Sequence, residues 1–248
     1  MQQFNTHAQA YNAVRSKISY PDALYASLAA RAPAHNAALD IGCGNGVSTV
    51  RLQGLFQQVE GCDIGAALIE KARQNYPALA FSVCAAEDFA PAHRFDLITS
   101  ATSFYWMDRK AVLMKLPAWL NPGGLFCAYK YDFPLAYGPL RDFIERELVT
   151  NWARYRDPRL TQYDDTLEIM QGCRHLQQAR REVFANIIFL TPEEVALFFL
   201  STSYVTRYIE EEGGQAYIER FSAAVREIAR SESVAMNFDI HAFTAVLG

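Results

Sequence analysis

The 248-residue chain has no long apolar run. Its longest, VALFFL at 195–200, is far too short for a bilayer, which takes about 20 apolar residues. Cysteine is scarce: five residues at 43, 62, 84, 127 and 173, odd in number, widely spaced and without a C-x-x-C pair. That pattern excludes a disulfide framework and a zinc site of ordinary spacing, and the five read as buried thiols in a reducing compartment. Positive charge is not in excess either. With 23 Lys and Arg against 27 Asp and Glu the formal net charge is −4, which gives no electrostatic footprint for nucleic acid or an anionic membrane. The opening MQQFNTHAQA lacks the charged start and apolar core of a secretory signal. His35, His93, His175 and His241 stand alone, so no metal site is expected. Repeats, low-complexity tracts and linkers are missing as well. The expectation is one cytoplasmic domain with an oligomeric state that the sequence does not reveal.

What is present alternates. Ala37 to Ile41 forms an apolar run, glycines come next, and Val47, Val50, Leu52, Leu55 and Phe56 recur at roughly helical spacing. QVEGCDIG reads as a second strand, and Ile64, Leu68 and Ala72 as one face of the helix after it. LAFSVCAAEDF supplies a third strand and RFDLITSATSFYW a fourth. A helix with Val112, Leu113, Leu116 and Trp119 leads through the turn NPGG at 121–124 to a fifth strand, LFCAYKYDF. Strands alternating with helices through short turns mean a parallel sheet covered on both faces.

Beyond Pro134 a helical stripe of Leu140, Phe143, Ile144, Leu148 and Trp152 breaks at RDPR, and a mixed segment holds Leu167, Ile169 and Met170. REVFANIIFL reads as a sixth strand. TPEEVALFFLSTSY reads as a helix with Thr191 as N-cap, Pro192 in its first position and Glu194 closing a capping box. Tyr217, Phe221, Val225 and Ile228 mark another helix, and Val234, Met236, Phe238 and Ile240 alternate as a closing strand. The division expected within a single 1–248 domain is an N-terminal helical cover (1–30), a cofactor-binding core (36–133), a helical substrate lid (134–180) and closing strands and helices (181–248).

The stretch LDIGCGNG places Gly42, Gly44 and Gly46 on alternate positions between the first strand and the apolar segment that begins at Val47. Such a loop in a doubly wound sheet holds a ligand at the carboxyl edge. The dinucleotide fingerprint G-x-G-x-x-G/A fails, because its third small position is Val47. Asp40, ending the first strand, would repel a pyrophosphate and attract an ammonium group. Asp63, at the end of the second strand, can accept hydrogen bonds from both hydroxyls of a ribose. A ligand with a ribose, a cation and no phosphate is S-adenosylmethionine.

On these residues the chain resembles the class I S-adenosylmethionine-dependent methyltransferases, whose first motif is an acid followed by G-x-G-x-G. The resemblance extends to the acid in GCDIG, AAEDF after the third strand, FDLITS at the fourth and NPGG before the fifth. It implies an α/β Rossmann-like sheet of seven strands in the order 3-2-1-4-5-7-6 with the last antiparallel. It also implies that Gly42 and Gly44 line the methionine part, Asp63 binds the ribose, Ile64 packs on adenine, and Ala86 with Glu87 borders the adenine amine. Asp40, Cys43 and Ser100 complete the cofactor side. The opening FNTHAQAYNAVRSKISYP and SATSFYWMD after the fourth strand look like the branch that includes trans-aconitate methyltransferase, where R-P-x-Y-P and A-F-H-W-F-D stand. Here Arg15 is not followed by proline and Tyr105 replaces the histidine. Arg15, Tyr20, Tyr105, Trp106 and Lys130 are the substrate-side candidates, although a particular substrate does not follow from this likeness.

Methyl transfer to a carbon activated by a sulfonium mainly requires alignment in a water-poor pocket. A carboxylate acceptor, ionised near neutrality with a pKa of roughly 4, needs cations, and Arg15, Lys17, Lys130, Arg141, Arg154 and Arg156 are available. A hydroxyl or amine acceptor needs a base within hydrogen-bond reach, for which His7, Tyr11, Tyr105 and Tyr131 are the candidates. The expected reaction is methyl transfer to a small-molecule acceptor, with S-adenosylhomocysteine as product. A non-catalytic S-adenosylmethionine-binding protein and a nicotinamide-dependent reductase are the alternatives.

Overall fold

The computed structural model describes residues 14, 17–161 and 164–248. Among them the strands are β1 (Ala37–Ile41), β2 (Gln58–Asp63), β3 (Ala80–Val83), β4 (Phe95–Ala101), β5 (Leu120–Tyr131), β6 (Leu135–Ala136), β7 (Leu176–Phe184), β8 (Ile187–Leu190), β9 (Val234–Asn237) and β10 (Ile240–Leu247). The helices are α1 (Asp22–Arg31), α2 (Ala66–Asn75), α3 (Arg109–Trp119), α4 (Leu140–Glu147), a single turn at Pro158–Thr161, and then α5 (Thr166–Gln171), α6 (Pro192–Leu200), α7 (Ser203–Tyr208) and α8 (Gly214–Ala229). The chain forms two compact units: a sheet unit of 20–131, 163–184 and 240–248, and a helical unit of 1–19, 132–162 and 185–239.

The sheet unit is built on seven strands in the order β3-β2-β1-β4-β5-β10-β7. Counted within that sheet alone, this is the expected 3-2-1-4-5-7-6. The first five run parallel, while β10 lies antiparallel to both β5 and β7. β1 and β4 are buried at every position, as central strands covered on both faces must be. One face packs Leu39, Ile41, Ile98 and Phe126 with Val112, Leu116 and Trp119 of α3. The other packs Ala38, Leu97 and Leu125 with Leu24, Tyr25 and Leu28 of α1. At the amino ends of the strands Asp96 is 2% exposed, and accepts from the Asn36 and Ala37 amides and from Asn121 Nδ2. The acid of FDLITS therefore ties β1 and the NPGG turn to β4, on the edge opposite the glycine loop.

The helical unit has a three-stranded antiparallel sheet, β6-β9-β8, and an aromatic core. Trp152 is fully buried, stacks on Phe199 at 5.5 Å and meets Phe221 edge-on at 5.6 Å. The Thr191 and Glu194 capping box that starts α6 is present in both directions.

Several local expectations are corrected. The segment after the glycine loop is only a 3₁₀ turn, Thr49–Leu52; Gln53 is extended and Gly54 takes a φ of +84°, which ends any helix. On α2 the buried residues are Ile69 and Ala72, whereas Ile64 and Leu68 are 77% and 46% exposed. The run read as a sixth strand is two strands in two sheets, β7 and β8, and the closing strand is likewise β9 and β10. Both breaks fall together. Asn186 donates its amide to Asp239 Oδ1 and accepts from the Phe238 amide, bonds that replace ladder pairs where the two strands part. The helix begun by Thr191 stops at Ser201, and α7 comes next as a separate element. Of the cysteines, all unpaired, Cys43, Cys62 and Cys127 are buried and Cys84 and Cys173 partly so. No described helix is long and apolar enough to cross a membrane, and no metal-holding cluster occurs among the described residues.

Candidate active site

The glycine loop leaves β1 at the carboxyl edge of the parallel strands, where ligands of open α/β sheets bind. Gly42, Gly44 and Gly46 all take positive φ, at +66°, +55° and +85°. Their surroundings differ. A Cβ on Gly42 would lie 2.5 Å from Ser103 Oγ, and one on Gly46 2.9 Å from the Tyr76 ring, so these two are glycines because protein fills the space. A Cβ on Gly44 would meet nothing within 4 Å. Gly44 is thus the point at which the loop backbone faces open space that a ligand can fill.

Asp63 closes the loop from the neighbouring strand. Its Oδ2 accepts from the Gly44 amide at 2.9 Å and its Oδ1 from the Gly65 amide at 2.7 Å. Each carboxylate oxygen keeps a further lone pair for a hydroxyl donor. Ile64, next in the chain and 77% exposed, offers an apolar surface beside it. Ala86 is buried in a short turn. The Glu87 carboxylate accepts from the Asp108 amide at 2.7 Å, and the Glu87 carbonyl accepts from Lys115 Nζ, tying that turn to the start of α3. The open cradle at Gly44, the Asp63 carboxylate and the Ile64 face fit a nucleoside with a short charged tail.

Asp40, expected to present its carboxylate to a ligand ammonium, turns it toward hydroxyls of the protein. Strand register pairs Asp40 with Thr99 of β4, and the Asp40 side chain is fully buried. Oδ1 accepts from Thr99 Oγ1 at 2.9 Å, and Oδ2 accepts from Thr49 Oγ1 at 2.8 Å and from Ser48 Oγ. Burial pushes the carboxyl pKa up, the three hydroxyls oppose that rise, and the charge of Asp63 adds to it. Asp40 therefore anchors the loop from beneath. Ser100, expected on the cofactor side, is fully buried, with its hydroxyl 2.8 Å from Ser103 Oγ, which in turn donates to the Ile41 carbonyl. Cys43 is buried, and burial pushes its thiol pKa up, so only its backbone is part of the loop.

On the acceptor side, Tyr105 and Trp106 form a 3₁₀ turn after β4 with ring centroids 5.1 Å apart, and Trp106 is 45% exposed. Lys130 Nζ at the end of β5 lies 6.0 Å from the Tyr105 ring centroid. Tyr20 OH is 3.2 Å from Thr102 Oγ1, and its ring meets Tyr129 edge-on at 5.1 Å. Tyr131 ends β5. His7, Tyr11 and Arg15 lie outside the described residues. Lys17, Arg141, Arg154 and Arg156 belong to the helical unit: Lys17 pairs with Glu194, Arg141 with Glu145 and Arg154 with Glu212, while Arg156 lies 5.3 Å from the Phe133 ring centroid.

Sequence reasoning missed the hydroxyl cage of Ser48, Thr49 and Thr99. A signal existed, since Thr99 and Ser100 are polar residues in a strand otherwise apolar enough to be buried on both faces. It also missed Thr102, a β-branched residue with a φ of +49° at the end of β4, and the acids Asp164 and Asp165.

A doubly wound seven-stranded sheet with an open glycine loop and the Asp63 carboxylate at its carboxyl edge defines the fold class of the protein. Residues 38–124 match the model of a family described as a methyltransferase domain. Over 112 residues, 43% of each chain, the sequence is 36% identical to a trans-aconitate 2-methyltransferase of Methylobacterium radiotolerans. Over 92 residues, 35% of this chain and 34% of the other, it is 32% identical to a malonyl-[acyl-carrier protein] O-methyltransferase of Ilyobacter polytropus. The chain thus matches less than half the length of these curated relatives. A solved structure assigned as a type II methyltransferase from Anaeromyxobacter dehalogenans shares the fold with a TM-score of 0.72 at 22% identity, over 91% of this chain and 96% of that one. Over residues 38–124 the chain is thus similar to a methyltransferase domain, its curated relatives include a trans-aconitate 2-methyltransferase, and its fold is shared with a solved methyltransferase structure.

Proposed function

We propose that the protein transfers the methyl group of S-adenosylmethionine to an oxygen of a small-molecule acceptor. The observation that carries this reading is the open cradle at Gly44, closed by the Asp63 carboxylate on the same amide. When bound, the cofactor supplies a methyl carbon already activated by its sulfonium, open to in-line displacement by a nucleophile. The protein's share is to hold the two partners aligned and dry. Asp63 would accept from the ribose hydroxyls, Ile64 would cover the base, and the Gly44 backbone would lie along the methionine part. Glu87 would border the adenine amine from a turn fixed to α3.

An oxygen acceptor draws support from the relatives, because trans-aconitate and a malonyl group are both carboxylic acids. Such an acceptor is already ionised near neutrality and needs no base. Tyr105, Trp106, Lys130 and Tyr20 are the groups proposed to contact it. The unpaired cysteines support a cytoplasmic site of action.

Calorimetric titration with S-adenosylhomocysteine, with NADH in parallel, tests the cofactor side. Micromolar or tighter binding at one site per chain is the expected result, to be followed by an acceptor screen that begins with small carboxylic acids and phenols. Saturable NADH binding without an effect of S-adenosylhomocysteine would reverse the assignment.

A further inference from the structure

Near the substrate-side end of the sheet unit lies a compact charge cluster. Lys130 Nζ, at the carboxyl end of β5, is 3.1 Å from Asp164 Oδ2. Arg109 Nη1, in the first residue of α3 and three positions after Trp106, is 2.7 Å from Asp165 Oδ1 and 3.3 Å from Thr166 Oγ1. Asp164 Oδ1 also accepts from the Thr166 amide at 3.0 Å. The side chains of Lys130 and Asp164 are 22% and 26% exposed, so this ion pair is screened less than a surface one, whereas Asp165 in the second pair is 45% exposed. Burial alone would raise the Asp164 carboxyl pKa, but hydrogen bonds from Thr166 and the charge and hydrogen bond of Lys130 carry it below the usual carboxylate range. Asp164 is therefore a fixed anion at neutral pH.

We infer that Asp164 and Asp165 are built-in counter-ions that limit the charge of the acceptor, so that the site takes a molecule with an apolar body and no more than one carboxylate. The inference rests on the methyltransferase reading above and sets the acceptor class within it. Lys130, 6.0 Å from the Tyr105 ring centroid, and Arg109, three residues after Trp106 in the chain, could by themselves receive a polyanion. Each cation is instead answered by an adjacent aspartate, leaving a local sum of zero across these four residues. A tricarboxylate entering there would meet both aspartates, and like charges at a few ångströms in a partly dry setting repel strongly. The half-exposed Trp106 ring, by contrast, offers contact to an apolar or planar body.

The test uses the full chain and its Asp164→Asn, Asp165→Asn and doubly substituted variants, titrated calorimetrically with trans-aconitate and with its uncharged trimethyl ester. Each titration is run with and without saturating S-adenosylhomocysteine. Asp165, with a side chain 45% exposed, is the position where substitution disturbs folding least, and Asp157→Asn, at an ion pair in the helical unit, serves as the control. Trans-aconitate should bind about tenfold tighter or more to each Asn variant than to the parent chain, with the ester and the Asp157→Asn control unchanged. Unchanged or weaker binding of trans-aconitate in the variants, or an equal gain for the ester, would overturn the inference. Failure of S-adenosylhomocysteine to bind the parent chain would count against the cofactor assignment instead, and the titrations without it would still decide the role of the aspartates.

Discussion

The carboxylate of Asp63 receives the amide hydrogen of Gly44 across 2.9 Å, so the residue that would hold a ribose also holds the loop along which the rest of the cofactor would lie. Replacing Asp63 with alanine removes both functions at once. Affinity for S-adenosylhomocysteine should fall about tenfold or more, the scale expected for losing a charged hydrogen-bond acceptor. Asp63→Asn should retain part of the affinity, because its single carbonyl oxygen can still accept from one donor. Calorimetry on both variants checks this, and an alanine variant that binds as well as the parent chain would remove Asp63 from the site.

The glycines of the loop should separate by consequence. Gly44→Ala places a methyl group in open space, so its structural cost is mainly the left-handed backbone, roughly 1–2 kcal/mol, while that methyl occupies the cradle and should lower S-adenosylhomocysteine affinity about tenfold or more. Gly46→Ala carries the same backbone cost and in addition drives the methyl to 2.9 Å from the Tyr76 ring and 3.0 Å from Phe81. It should therefore show the larger drop in melting temperature. Thermal melts paired with titrations decide it, and a Gly44→Ala variant with parental affinity would mean that the open space is not the cradle.

Much of the sheet was legible because its determinants are local. The apolar runs, the turn residues and the alternation of strand and helix are read from neighbours in sequence, and they give a parallel sheet covered on both faces, while the strand order followed from the resemblance to the class I methyltransferases. The divided strands were not legible, since REVFANIIFL and VAMNFDI continue the same pattern through the residues where the chain changes sheets. What marks the change is a pair of long-range bonds between Asn186 and the 238–239 segment. The site divides in the same way. Glycines at alternate positions and an acid at a strand end are local signals, and they located the loop and Asp63. The hydroxyl cage depends on β1 lying beside β4 in a register that sets Asp40 against Thr99, and the counter-ions depend on residue 130 meeting residue 164. Neither relation has a trace in spacing along the chain.

In the helical unit, Trp152 Nε1 donates to Tyr217 OH at 2.9 Å, and Tyr217 OH donates to Glu147 Oε2 at 2.6 Å. Tyr217→Phe keeps the ring packing but leaves the buried indole N–H without its acceptor, for an expected loss of about 1–3 kcal/mol. Trp152→Ala opens a cavity among Phe199, Tyr204 and Phe221 and should cost about 3–5 kcal/mol. Urea unfolding of both variants measures these losses. Equal losses would mean that the polar chain, and not the aromatic packing, dominates this core.

Asp40 makes stability depend on pH in the direction opposite to an exposed, paired carboxylate. Its folded pKa is raised, chiefly by burial, above the value near 3.9 expected in the unfolded chain. At pH below about 3.9 the acid is neutral in both states and its burial carries no charge penalty. As pH rises through the interval between the two values, the unfolded chain gives up the proton while the folded one keeps it, so the contribution of this group to stability is progressively lost and is gone above the folded pKa. Asn is close in shape to the neutral acid but does not titrate. Stability of the parent chain relative to Asp40→Asn should therefore fall with increasing pH from about 4 upward and then level off. Differential scanning calorimetry of the two proteins across that range isolates the group, because every other titration is common to both. A constant difference would mean that the hydroxyls of Ser48, Thr49 and Thr99 fully offset the burial of the charge, in which case Thr99→Val, which strips Oδ1 of its donor, should restore the slope.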